Sequence, residues 1–337
     1  MSKHPRGFTI VELLVVITIM GILMAIILPS LSGAQASARE AQERKTLQDV
    51  TVAWRSWAAS HRNACPIPGR IRRQMKDLDG DGVGDAFVPG SGREDGNYND
   101  HGSMLSLCIM ENLLTPDQLV SPNEYSSVVY PLTTYDYNAL GRPDGDTTHR
   151  WDPNFSNDLA GNTTGYANNS YAIIPLAGDR RRDHWDRTGS SGHALISTRG
   201  PLSGDHALLN PYDAGGNPQE PSNTAHLMAQ PGAWRGIVVF ADGHSATLES
   251  FYPEGATWEK IEDDGSTKQL PDNIFRAEAV AGTAYNAPQP DQSELQGHTL
   301  GSDIFLTHTS RSDDDDSLWK THSAVNPHDI EYTPLHD

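Results

Sequence analysis

The longest uninterrupted apolar run lies at the front of the chain, from Phe8 to Leu28, 21 residues in which Glu12 is the only charge. Wound as a helix at about 1.5 Å per residue, it spans about 30 Å, the thickness of a bilayer core. The pattern then changes without a break. From Ser30 to about Ser60 the alanines at 34, 36, 38 and 41 favour helix, and Glu40 stands four residues before Arg44, the favourable order for a helical pair. Leu47, Val50, Trp54 and Trp57 follow at spacings of three, four and three, which puts them on one stripe. This predicts a single long helix, apolar all round in its first half and one-sided in its second. The first half suits a membrane or a fibre, and the second suits the core of a head domain. Farther along, Gly236-Ile237-Val238-Val239-Phe240 and Ser245-Ala246-Thr247-Leu248-Glu249 flank Asp242-Gly243, which reads as two strands around a tight turn.

A carboxylate inside a bilayer-length apolar run is costly, about 2.5–3.5 kcal/mol at the membrane centre, so Glu12 calls for a partner and a role. It lies five residues after Gly7, which closes a short leader holding Lys3 and Arg6. The segment Gly7-Phe8-Thr9-Ile10-Val11-Glu12 with that leader resembles the N-terminus of type IV pilins and of the pseudopilins of type II secretion. The resemblance implies cleavage after Gly7 by a prepilin peptidase and methylation of the new N-terminal amine on Phe8. It also implies that Glu12, fifth residue of the mature chain, meets the N-terminal amine of a neighbouring subunit during assembly. Pro29 fits the same family, whose helices often carry a proline at the end of the first apolar segment. The resemblance covers residues 1 to about 60. The competing reading is a secretory signal peptide cut within Ala34-Gln35-Ala36-Ser37-Ala38, but that leader exceeds the usual length of about 15–30 residues and the helical pattern runs through the cut. Lys3 and Arg6 place the short N-terminus on the cytoplasmic side and everything after Pro29 beyond the membrane.

Charge and composition narrow the rest. With 44 acidic and 25 basic residues the net charge is −19, and loss of Lys3 and Arg6 with the leader takes the side-chain charge to −21. A nucleic-acid partner is not expected, since that function calls for a basic face. Thirty glycines, 22 prolines and only 36% hydrophobic residues predict a loop-rich head with a modest sheet core. The head is assigned to residues 61–337, the leader to 1–7 and the long helix to 8–60.

The only two cysteines, Cys65 and Cys108, both fall on the exported side, where an oxidising compartment permits a bridge. With 42 residues between them, it would contribute about 2–4 kcal/mol. The alternative is two separate buried thiols.

One loop has a metal-binding signature. Asp77-Leu78-Asp79-Gly80-Asp81-Gly82-Val83-Gly84-Asp85 places acids at positions 1, 3, 5 and 9 and glycine at position 6. That is the first three-quarters of an EF-hand calcium loop, in which alternate carboxylates converge on one hard cation and Val83 offers its carbonyl. It also resembles the aspartate-rich calcium loops of dockerins and thrombospondin-type repeats. The departure is position 12, where Val88 replaces the bidentate acid; Glu94 and Asp95 are the candidate substitutes. The expected cofactor is structural calcium (Ca2+), against the alternative of a solvated Asp/Gly turn.

Phe240-Ala241-Asp242-Gly243-His244 resembles the C-terminal motif of a large group of bacterial pilin-like proteins, in which nine residues separate a histidine from an Asp-Gly. The upstream histidine is missing, because residue 232 is Gly; His226 stands 15 residues before Asp242 instead. His226, Asp242 and His244 could also hold a metal, although packing within a hairpin explains them equally simply. The run Asp313 to Asp316 reads as a solvated loop. Gly189-Ser190-Ser191-Gly192 is one residue short of a nucleophile elbow and lacks a strand leading into it. No nucleophile–base pair, phosphate loop or dinucleotide fingerprint stands out, so an enzyme is not expected.

The expected architecture is α+β and pilin-like: a long N-terminal transmembrane helix packed on an antiparallel sheet, with a loop-rich head. The expected role is a structural subunit of a type II secretion pseudopilus or type IV pilus-like fibre. Its expected partners are the prepilin peptidase, other pilin-like subunits and an inner-membrane assembly platform. The alternative is a membrane-anchored binding protein that never polymerises and uses its head for surface recognition. The expected location is the inner membrane with a single pass, and then a periplasmic or cell-surface fibre.

Overall fold

In the computed structural model the described residues are 10–73, 78–79, 94, 98–139, 150–157, 166–174, 176, 185, 191–201, 204–219, 221–228, 233–261, 266–275 and 306. The chain forms two compact units, Met1–Glu43 and Arg44–Asp337. Helix α1, Ile10–Ser60, is continuous and supplies both the first unit and the start of the second. It runs unbroken through Pro29 and through Ala34–Ala38, the stretch in which a signal peptide would have ended.

In the second unit the C-terminal part of α1 is folded into the core. Leu47, Val50, Trp54 and Trp57 are all buried, as their stripe requires. The edge of Trp54 meets Trp185, with ring centroids 4.7 Å apart. Burying aromatic rings of this size contributes more to a core than any other side chains do. The helix then ends in a turn where Arg62 and Asn63 take positive φ. The short helix α2, Pro68–Ile71, and helix α3, His101–Met110, follow and contact each other. Helix α3 starts where the Asp100 carboxylate accepts the Ser103 N–H at 2.7 Å, an N-cap that satisfies one orphan donor of the first turn.

Four strands form an antiparallel sheet in sequence order: β1 Tyr171–Ile173, β2 Ala194–Thr198, β3 Gly236–Phe240 and β4 Ser245–Leu248. Every residue of β1, β2 and β3 is buried, whereas β4 is partly exposed. A sheet covered on both faces explains why β3 reads as a continuous apolar run and not as an alternation. Leu195 is an extra residue in β2 opposite β3: Ala194 pairs with Phe240 and Ile196 with Val239, the arrangement of a bulge. A second, two-stranded sheet pairs β5, Thr257–Ile261, with β6, Thr267–Pro271. The fold is thus α+β, with a long apolar N-terminal helix and a four-stranded antiparallel sheet.

Candidate functional site

The first half of α1 carries the residues that the sequence marks most strongly. From Ile10 to Leu28 its large apolar side chains are 41–85% exposed. Exposure on this scale, with no polar face, is untenable for a helix in water and fits one that lies in lipid or among other apolar helices. This is the one described helix long and apolar enough to cross a membrane. Thr18 donates its hydroxyl to the Leu14 carbonyl at 2.8 Å, so its polar group is satisfied within the helix. Glu12 is the acid of the first helical turn, where the exposed N–H groups favour negative charge. Gly7 and Phe8 lie outside the described residues.

The second half of α1 holds the β3–β4 turn. Arg44 Nη2 donates to Thr247 Oγ1 at 2.5 Å, Gln48 Nε2 to Ser245 Oγ at 3.1 Å, and Arg55 Nη2 to the Ala241 carbonyl at 2.8 Å. The turn is itself tightly organised. Gly243 N–H donates to the Phe240 carbonyl at 2.8 Å, and Gly243 sits at φ +93°, the three-residue hairpin loop that ends in a left-handed glycine. The Asp242 carboxylate accepts the His244 N–H at 3.0 Å and faces His244 Nδ1 at 2.6 Å. The His244 backbone N–H, with its ring, holds the Asp242 carboxyl below the usual carboxylate range. The imidazole stacks on Phe240, with planes 4° apart and centroids 4.3 Å apart. Each residue of Phe240-Ala241-Asp242-Gly243-His244 therefore has a structural task, and docking the turn on α1 is the sum of those tasks. His226 instead packs against Tyr125 at 4.6 Å. Among the described residues no group of three His, Cys, Asp or Glu could hold a metal, and His226, Asp242 and His244 are no exception.

The acidic loop is only partly visible. Leu78 and Asp79 are described and exposed, while Asp77, Asp81, Val83 and Asp85 lie outside the described residues. Its neck, however, is clear. Arg73 and Glu94 form an antiparallel bridge. The Glu94 carboxylate takes Arg70 Nε on one oxygen at 3.2 Å and Asn99 Nδ2 on the other at 2.7 Å. Asn99 in turn accepts the Gly69 N–H at 2.9 Å, and the Arg72 guanidinium lies 4.0 Å from the centre of the Tyr98 ring. Glu94, a candidate twelfth-position ligand, is therefore engaged as a clasp across the base of the loop.

Residues 2–28 match the family model of the prokaryotic N-terminal methylation motif. The segment is typical of type IV pilin-like proteins. Comparison with curated proteins and comparison with solved structures return no match.

The motif implies processing by a prepilin peptidase and pilin-like assembly, and it marks a structural family. In this pilin-like chain, sequence reasoning passed over three kinds of residue. Arg55 and Gln48 looked like ordinary polar helix positions, and nothing local marks them as holding a turn almost 200 residues away. His101 is buried at the start of α3, with Nε2–H donating to the Ile174 carbonyl at 3.0 Å; burial pushes its pKa down to about 4. Tyr130 and Tyr166 stack at 5.4 Å on the surface, with Tyr125 and Tyr137 also exposed. Cys65 and Cys108 are both buried, and the structure carries them as thiols and not as the bridge that the sequence permits.

Proposed function

We propose that this protein is a structural subunit of a type II secretion pseudopilus or type IV pilus-like fibre. The observation that supports this most is the division of one unbroken helix: Ile10–Leu28 is bare and apolar, while Leu47–Trp57 is core. A prepilin peptidase cuts after Gly7, the Phe8 amine is methylated, and the helix waits as a single pass in the inner membrane with the head exported. An inner-membrane platform then moves the apolar half from lipid into a bundle of like helices. The transfer exchanges one apolar environment for another, so its hydrophobic cost is small. The charge of Glu12 finds the N-terminal amine of an adjacent subunit, which offsets the cost of holding a carboxylate in an apolar surround. Structural calcium held by Asp77, Asp79, Asp81 and Asp85, with the Val83 carbonyl, belongs to the same proposal. The Arg73–Glu94 neck supports it, because it brings the loop's ends together beside α3.

Shearing of native cells separates this reading from the second one, a membrane-anchored binder that never polymerises. Sheared filaments that contain the chain are expected; a chain that stays wholly in the membrane fraction would overturn assembly. The observation that favours the second reading is the tyrosine surface of Tyr125, Tyr130 and Tyr137, large rings left exposed on a head whose other aromatic residues are mostly buried.

A further inference from the structure

We infer that Cys65 and Cys108 become joined by a disulfide when the head folds outside the cytoplasm, fastening the end of α1 to α3. The inference rests on the proposed export of the head. The two residues belong to one core cluster, and they are the only cysteines of the chain. Cys65 lies between the end of α1 and α2, three residues before Pro68. Cys108 lies in the last turn of α3, the helix that α2 contacts. The Gly69 N–H to Asn99 Oδ1 bond, 2.9 Å long, ties the same two segments together just before α3 begins. The sulfurs are also within electrostatic reach of each other: burial, then the charge of Cys65, pushes the Cys108 thiol up.

The reaction needs an oxidant, and the class that fits is a protein disulfide of the exported compartment. The Cys65 thiolate attacks that disulfide, forms a mixed disulfide and releases one oxidant thiolate. The Cys108 thiolate then attacks Cys65 Sγ, forms the Cys65–Cys108 bond and releases the second thiolate. The two protons lost by the cysteines end on the oxidant, which leaves as a dithiol; the cysteines are oxidised by two electrons and the oxidant is reduced by two. Thiolate is the reactive form, and burial withholds it at Cys108, so the bond closes before the core does. Once closed, it is shielded from reductant by the same burial.

The test uses the full chain in its native host. Cells are lysed in denaturant with an alkylating agent, with or without prior reductant, and the intact mass is read. The expected result is no alkylation without reductant and two additions after reduction. A Cys108→Ser chain should take one addition without reductant, and this variant, read under denaturant, does not depend on folding. Protease treatment of spheroplasts reports where the head lies. Two additions without reductant on a protease-accessible head overturn the disulfide. A protease-protected head overturns the export reading instead, so the two failures are distinguishable.

Discussion

The Arg55 guanidinium stands in the space that a β-carbon on Gly243 would fill: Nη1 lies 2.6 Å from that position and Nη2 3.0 Å. Glycine is thus required twice, by φ +93° and by the close approach of the helix. Gly243→Ala should destabilise the head by about 1–2 kcal/mol from the left-handed backbone alone. Arg55→Ala should remove the bond to the Ala241 carbonyl, worth about 1 kcal/mol. In the double variant the clash is gone while the backbone strain remains, so the losses should fall short of their sum. Chemical unfolding of the four chains, followed by tryptophan fluorescence, measures the coupling; strict additivity would show that helix and turn do not communicate through this contact.

Processing is the most direct expectation of the N-terminal motif. The mature chain should begin at Phe8 with an N-methylated amine. Mass spectrometry of the N-terminal peptide reads this. A chain beginning at Ser37 or Arg39 would establish a signal peptide instead.

Glu12 should serve assembly and not folding. The head's core begins in the second half of α1, so Glu12→Ala should leave the chain inserted, processed and stable, yet absent from sheared filaments. Glu12→Leu should behave alike, since charge and not volume is what is missing. Normal incorporation of either variant would remove the proposed role and favour the membrane-anchored binder.

Calcium should protect the loop between Arg73 and Glu94. Limited proteolysis is expected to spare it with millimolar calcium and to cut it with chelator, and Asp79→Ala should weaken the protection. Titration calorimetry supplies the independent readout: no uptake at millimolar calcium would leave the loop an acidic turn.

His101 should make the head acid-sensitive. Its folded pKa, about 4, lies below the ordinary 6.5, so between these values the unfolded chain binds a proton that the folded chain refuses. Stability therefore rises with pH across this window and is lost as pH falls from about 6.5 toward 4, by about 1.4 kcal/mol per unit at most, near 3 kcal/mol in all. His101→Gln keeps an N–H for the Ile174 carbonyl and cannot titrate. The difference in unfolding free energy between the two chains, measured from pH 4 to 7, should carry this slope; a flat difference would mean that the buried ring accepts its proton without cost.

Local pattern alone determined the long helix, its division at mid-length, the buried stripe from Leu47 to Trp57 and the Asp242-Gly243 hairpin. These depend on periodicity and on the backbone preferences of single residues, which a chain displays before it folds. The processing segment was legible for a related reason: a peptidase and a membrane read it as a linear stretch. Only the tertiary structure decided what the other motif residues do. Glu94, a candidate metal ligand by spacing, is a clasp between Arg70 and Asn99, because folding brings α2 and the start of α3 to the loop's base. His244, a candidate metal ligand by type, stacks on Phe240 and bonds Asp242, because the hairpin turns it back on its own strand. Arg55 finds Ala241 across 185 intervening residues. Contacts of that range depend on how the whole core closes, and no local pattern encodes the distance between residues so far apart in the chain.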